Sequence, residues 1–309
     1  MLIADKRFFT QEHFESKKGL APAYLSELVV YCLELVSLLS FYKLNYRFKG
    51  GNSLLVLLEN PQRFSIDVDI VTTETKDFLS ELIEKIVSES AVFTHFEKRA
   101  PKTKPWLPMI SFKLFFKSLY QKDEDAFVML DAVLEKAPYE GIVKPVKCLD
   151  IYQSSVSVEV PSISGLIGDK LLTIGPKTLG IPLGKNKEAQ RLKHIFDVSL
   201  LSQQGYQIEK VKNSLENCMI QENQIQQSDF QFPEVFEDTL LFAGESLNHK
   251  TKPDLSVIEP NTYLYEIVKG FDEFKNYLFR IQYTWELFQK DCQNVVQIMN
   301  QIKDLKKWV

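Results

Sequence analysis

An α+β architecture, a mixed β-sheet with flanking helices followed by a mainly helical C-terminal unit, is predicted by three features of this 309-residue chain. Short runs of alternating polarity cluster before residue 135, which is the signature of half-buried strands. Apolar residues at helical spacing flank those runs. Beyond about Gly205 the glycines thin out, and polar stretches containing Gln and Asn alternate with helical runs. The length suits two units better than one core. The predicted domains are 1–205, which holds the chemistry, and 206–309, which is helical.

Taken in order, the first predicted element is a helix from about Pro22 to Lys43, where Leu25, Leu28, Val29, Cys32, Leu33, Val36 and Leu39 recur at helical spacing. A strand from Tyr46 to Lys49 enters Gly50-Gly51, and Asn52 to Leu58 reads as a short helix beginning at that turn. A strand, glycine turn and helix of this kind aim backbone N–H groups and a helix N-terminus at whatever sits above the turn, which favours a phosphate. The Asn60-Pro61 break leads to a strand containing Asp67 and Asp69. Residues Asp77 to Glu89 form an amphipathic helix with Phe78, Leu79, Leu82, Ile83 and Ile86 on one side.

Strands at Met109 to Phe116 and Ala126 to Leu134 follow, joined by the polar turn Gln121 to Asp125. A helix from Ser164 to Thr173 carries Lys170. A loop rich in Gly and Pro, Gly175 to Gly184, leads to a helix from Glu188 to Leu201 that carries His194 and Asp197. Helical runs at Glu266 to Phe288 and Val295 to Leu305 represent the C-terminal unit.

Composition excludes several classes. Hydrophobic residues make up 45% and charged residues 25%, an ordinary globular balance. The net charge of −4 means that any nucleic-acid contact must rest on local basic clusters. Two such clusters exist: Lys98, Arg99, Lys102 and Lys104 beside Trp106, and Lys185, Lys187, Arg191 and Lys193. The four cysteines, Cys32, Cys148, Cys218 and Cys292, lie far apart without zinc-ligand spacing and read as reduced, buried thiols. No stretch approaches the roughly 18 apolar residues of a membrane span, which predicts a cytoplasmic protein with no membrane partner.

The chemistry concentrates between Phe48 and Ile70, FKGGNSLLVLLENPQRFSIDVDI. Alternate strand residues share a face, so Asp67 and Asp69 project together. Two carboxylates held side by side repel each other, and a hard cation such as Mg²⁺ relieves the repulsion and converts the pair into a site for nucleotide phosphates. Metal-assisted phosphoryl or nucleotidyl transfer follows. Asp131 lies inside the apolar run VMLDAVLE. It is either a surface acid, or a third carboxylate that completes the metal site or acts as general base. Ser53 and Ser65 either satisfy local backbone groups or contact phosphate, and Ser53 is the better phosphate candidate because it follows the glycines. Lys170 is either a snorkelling lysine or the point charge that a triphosphate needs. Asp197 stands three and four residues after His194 and Lys193, so an intrahelical ion pair is its plain reading.

The runs FKGGNSL, RFSIDVDI, GDKLLTI and KHIFDVSLL together resemble the AbiEii/AbiGii toxin family of nucleotidyltransferases, over about residues 45 to 202. RFSIDVDI is the most specific of them. The resemblance implies a fold like that of polymerase-beta-type nucleotidyltransferases and the role of toxin in a type IV toxin–antitoxin or phage-defence operon. It also implies a cognate antitoxin as partner. Some relatives, the MenT toxins, add nucleotides to tRNA acceptor ends. Carried onto this sequence, the resemblance makes Gly50, Gly51 and Ser53 the phosphate-binding turn and Asp67 and Asp69 the metal carboxylates. It raises Lys170 to a triphosphate contact and Asp197 to an active-site acid. The sequence departs from the family pattern at Asn52, where a hydroxyl is usual, and at Ile66, where an acid is common.

The expected function is therefore Mg²⁺-dependent transfer of NMP from an NTP to an acceptor hydroxyl, with a tRNA 3′ end or other RNA as acceptor. Asp131 or Asp197 takes the proton. The competing readings are transfer to a small-molecule or protein hydroxyl, and an inactive module that binds nucleotide or RNA.

Overall fold

The computed structural model describes residues 1–99, 106–121 and 125–305, and the chain forms two compact units. The first comprises Met1–Ala137, Gly141–Pro161 and Tyr277–Ile281. The second comprises Pro138–Glu140, Ser162–Asn276 and Gln282–Val309. The division thus falls at Pro161/Ser162, and the helices that carry Lys170 and Asp197 group with the helical remainder of the chain rather than with residues 1–161. Their apolar faces are buried against other helices, a preference that periodicity alone does not reveal.

The first unit is built on α1 (Gln11–Lys17), α2 (Ala23–Phe41), β1 (Arg47–Lys49), α3 (Leu54–Leu57), β2 (Asp67–Val71), α4 (Lys76–Glu89), β3 (Phe93–Arg99), β4 (Met109–Phe116), β5 (Ala126–Val133), β6 (Gly141–Cys148) and β7 (Tyr152–Pro161). All seven strands form one mixed sheet in the order β3-β4-β5-β2-β1-β7-β6. The β2–β5 and β1–β7 pairs are parallel and the others antiparallel.

The helices and strands predicted up to residue 134 are present with small shifts at their ends; of the turn predicted from Gln121 to Asp125, residues 122–124 lie outside the described residues. The strands β3, β6 and β7 are additions that the sequence pattern does not foresee. In β7 the run QSSVSVE is mostly polar, and β6 contains Pro145, which lacks a donor for the ladder. The edge position of β6 and a register shift beside Pro145 accommodate it.

Alternation decides the two faces of the sheet. Phe48, Val68, Ile70, Ile110, Phe112, Leu114, Val128, Leu130 and Ala132 are all buried. Most of their neighbours along each strand are half-exposed, with Val71 buried and Phe127 exposed. The long helix α2 covers that apolar face, and its Val29, Leu33, Val36 and Leu39 are fully buried. Among the described residues α2 is the one helix long and apolar enough to cross a membrane by composition, a property not anticipated from the sequence. In the fold its apolarity is spent on the sheet, and it carries two buried carboxylates. Glu27 accepts bonds from the Ser118 hydroxyl (2.5 Å) and the Leu119 amide (2.7 Å). Glu34 accepts from the Ile3 amide (2.7 Å) and the Tyr152 hydroxyl (2.6 Å). Burial pushes both carboxyls up, and these donors offset part of the rise.

The run predicted as one helix from Glu266 to Phe288 is broken. It ends at Lys275, and residues 277–281 join the first unit as a strap of turn and bend residues before the next helix begins. The Phe64 amide donates to the Tyr277 carbonyl (2.8 Å) and the Phe279 amide to the Gln62 carbonyl (3.1 Å). Phe64 and Phe279 stack 4.2 Å apart. These backbone bonds and the buried ring pair outweigh the modest helix propensity of the run.

The second unit contains α5 (Ile163–Leu172), α6 (Glu188–Ser202), α7 (Ile208–Gln226), α8 (Phe232–Glu245), α9 (Tyr263–Lys275) and α10 (Trp285–Asp304). Helix α5 packs on α6 and α7, α6 on α9 and α10, and α8 on α10. The Gly- and Pro-rich loop before α6 is pinned by charge. Asp238 accepts the Lys177 and Thr178 amides, and Glu266 accepts the Gly184 amide and the Arg191 guanidinium (both 2.9 Å).

Asp291 on α10 is half-buried, with the Ser199 hydroxyl donating at 2.6 Å and the Tyr283 hydroxyl donating to its other oxygen. Burial pushes its carboxyl from 3.8 up to about 6. The folded state therefore binds a proton more tightly than the unfolded chain. This contribution is fully present below about pH 4 and is lost as pH rises through 6, a swing on the order of 2–3 kcal/mol. Asp291→Asn is expected to flatten the fall in unfolding free energy between pH 4 and pH 7, measured by denaturant titration at both values.

Candidate active site

Register brings the carboxylates together. Asp67 and Asp69 alternate on β2, and Asp69 pairs with Asp131 across the parallel β2–β5 ladder, so all three occupy the half-exposed face opposite α2. On the next strand Ser111 pairs with Asp131 and its hydroxyl donates to Asp131 Oδ1. Asp131 thus lies both on the half-exposed face, as a surface acid would, and in one row with Asp69. Among the described residues no three His, Cys, Asp or Glu side chains converge as a metal cluster. The donor set is instead the Asp67–Asp69 pair on one strand face, oxygen ligands that fit a hard divalent cation retaining water and phosphate ligands.

The glycine turn sits against this pair. Gly50 has φ +71°, a conformation that suits glycine, and a Cβ there would collide with the Asp69 carboxylate. A Cβ on Gly51 would fall 2.5 Å from Arg63 Nη2 and 2.8 Å from Ser65 Oγ. Gly50 is therefore required by its backbone conformation and close approach, and the turn, Asp69, Arg63 and Ser65 share one small volume. Gly50→Ala is expected to cost about 1–2 kcal/mol from backbone strain alone, and to displace Asp69 so that activity falls as far as in Asp69→Ala. Thermal unfolding and nucleotide transfer measured on both variants check this.

Ser53, the favoured phosphate contact, is fully buried and its hydroxyl donates to the Gly50 carbonyl (2.8 Å). Its hydroxyl proton is thus used inside the turn, the local role that the plain reading gives it. Ser65 is half-exposed beside Gly51 and remains available to a ligand. Asn52 is fully buried and neither of its amide atoms makes a hydrogen bond of normal geometry. It lies beside Cys32, whose thiol donates to the Ile66 carbonyl (3.1 Å). Burial, and then the Asp67 charge, push that thiol well above its ordinary value. All four cysteines are free and buried.

Lys170 and Asp197 come together with each other. Their side chains are 1% and 0% exposed and form an ion pair of 2.7 Å between α5 and α6 of the second unit. Asp197 thus pairs with a lysine of the neighbouring helix, a partner that its place in the sequence does not predict. The expected triphosphate contact by Lys170 finds its ammonium already engaged in a buried pair. Arg191, expected in a basic surface cluster, is likewise buried and paired with Glu266 at 2.9 Å. Of the other cluster, Lys98 and Arg99 are exposed, and Lys102 and Lys104 lie outside the described residues.

Two residues of the site escape a reading of the sequence alone. Lys49 pairs in register with Asp69, so this cation shares the carboxylate face. Its signal is its place immediately before Gly50. Arg63, buried against the turn with Nη1 donating to the Phe64 carbonyl (3.0 Å), is the Arg of RFSIDVDI. The strap holds it, since Arg63 also bridges with Leu278.

No curated protein matches the chain in sequence. Among solved structures, MenT4, a nucleotidyltransferase toxin from Mycobacterium tuberculosis, superposes with a TM-score of 0.57 over 95% of this chain and 99% of its own, at 14% identity. An antigenic nucleotidyltransferase-like protein from Paracoccidioides brasiliensis gives a TM-score of 0.39 over 68% of this chain and 97% of its own, also at 14% identity. The first of these shows a shared fold. The family model for the nucleotidyl transferase AbiEii toxin of type IV toxin–antitoxin systems matches residues 35–265. With its glycine turn and carboxylate strand inside that span, the chain belongs to the AbiEii family of nucleotidyltransferase toxins.

Proposed function

We propose that this nucleotidyltransferase toxin moves NMP from an NTP to a hydroxyl of an RNA acceptor, a tRNA 3′ end being the first candidate, in a Mg²⁺-dependent reaction. The observation that carries this reading is the row of Asp67, Asp69 and Asp131 set beside the Gly50-Gly51 turn. Asp67 and Asp69 would hold the cation, and Gly50, Gly51 and Ser65 line the place where phosphate oxygens would sit. When bound, Mg²⁺ supplies charge neutralisation at the triphosphate and Lewis acidity at the α-phosphorus.

Lys49 adds a fixed positive charge on the same face. Asp131 is oriented through Ser111 and accepts the proton of the attacking hydroxyl at its second oxygen. The acceptor oxygen then bonds to the α-phosphorus as the bond to pyrophosphate breaks. A cognate antitoxin partner follows from the family.

The test is incubation of the protein with Mg²⁺, each α-labelled NTP and total tRNA. Label on RNA with release of pyrophosphate supports the proposal. Label on protein or on a small molecule would overturn the RNA acceptor, and nucleotide binding without pyrophosphate release would overturn turnover.

A further inference from the structure

The carboxylate face continues outward into a patch of a different chemistry. On β3, β4 and β5 the registered residues His95, Phe115 and Phe127 form a row, with Lys113 and Met129 in the row nearer the carboxylates. His95 stacks on Phe115 at 4.2 Å with planes 3° apart, and Phe115 lies 5.6 Å from Phe127. The Lys113 ammonium stands 4.2 Å from the centre of the Phe127 ring. Phe127 is 38% exposed and His95 is exposed. Within this unit α2 and α4 lie on the opposite face: Phe96, Leu114 and Val128 beneath this row are covered or buried, and Lys98 reaches back to Ser80 of α4 (2.9 Å).

An open sheet face that displays aromatic rings with an interleaved cation is the arrangement by which sheets take unpaired bases. The rings stack on base faces, and the cation serves both the ring and the phosphate. Lys113, whose ammonium lies over the Phe127 ring while Glu97 pairs with it in register, supplies the cation of the patch for a strand's phosphates. Distance agrees as well. Phe127 and Asp131 are four residues apart on one strand, about 13 Å, the length of roughly four stacked nucleotides at about 3.4 Å each.

We infer that His95, Phe115 and Phe127, with Lys113, form a stacking platform for the unpaired bases of a single-stranded RNA acceptor, holding it while its terminal hydroxyl reaches the carboxylate row. The inference deepens the transferase reading above and rests on it for the identity of the acceptor.

The experiment is fluorescence anisotropy of the full chain with a labelled, unstructured eight-nucleotide RNA, without NTP, beside an RNA duplex of equal length. Phe127→Ala is expected to weaken single-strand binding by about 10-fold, and Phe127→Trp to retain it. Lys113→Ala should lower the dependence of log K on log salt by about one. Circular dichroism confirms that each variant is folded. Equal binding by Phe127→Ala, equal or better binding of the duplex, or a patch whose loss affects only self-association of the protein would overturn the platform. Label transfer by Asp67→Asn is scored separately. Survival of transfer in that variant would sink the transferase reading, while the anisotropy result still decides the platform.

Discussion

Asp67→Asn, and equally Asp69→Asn, is expected to lower nucleotide transfer by about 10³-fold or more, and Asp67→Asn also to raise the thermal unfolding midpoint slightly. The first effect follows from losing a ligand charge for a cation whose transition-state stabilisation is several kcal/mol. The second follows from the carboxylate row: Asp67 shares the face of Asp69 and Asp131, so neutralising it relieves like-charge repulsion of about 0.2–1 kcal/mol, whereas Asp69 also faces the registered cation Lys49. Opposite signs for activity and stability mark a carboxylate kept for function rather than for folding. Label transfer and thermal melts on the same preparations measure both, and a variant that keeps wild-type transfer would remove the pair from the site.

Lys170→Met is expected to destabilise the protein more than Gly50→Ala or either aspartate change, by about 3–5 kcal/mol. It leaves the Asp197 carboxylate, fully buried, without the ammonium 2.7 Å away. That loss is a large share of the stability typical of a domain, about 5–15 kcal/mol. The double change Lys170→Met with Asp197→Leu removes both charges and is expected to recover most of the loss, because replacing a whole buried ion pair is often neutral. Denaturant titration reads the stabilities. Transfer by the refolded double variant then separates two roles: activity near wild type assigns the pair to the architecture of α5 and α6, and a folded but inactive protein assigns it to the reaction, as the family resemblance implies.

The predicted elements that the fold contains are those with a local signal. The apolar run of α2 and the alternation of β4 and β5 announce themselves, as do the glycine turn and the DVD strand, because each satisfies its own period within a few residues. The strands that escape notice, β3, β6 and β7, are polar or contain proline, and they become strands because a neighbour completes their hydrogen bonds. The break at residues 277–281 has the same origin: its partners, Gln62 and Phe64, lie more than 200 positions earlier.

The site divides along the same line. By itself the sequence determined the composition of the chemistry: two alternating aspartates, a paired glycine before them and the motif that marks the family, all of it encoded by adjacent residues and the two-residue period of a strand. Tertiary structure alone decided which groups meet. Strand order set Asp131 and Lys49 beside Asp69 and placed the aromatic row on the carboxylate face, while helix packing buried Lys170 against Asp197 and the turn closed on the Ser53 hydroxyl. The reason is that a side chain's partner is chosen by register and burial, which depend on residues distant in the chain, whereas its chemical type is carried by the residue alone.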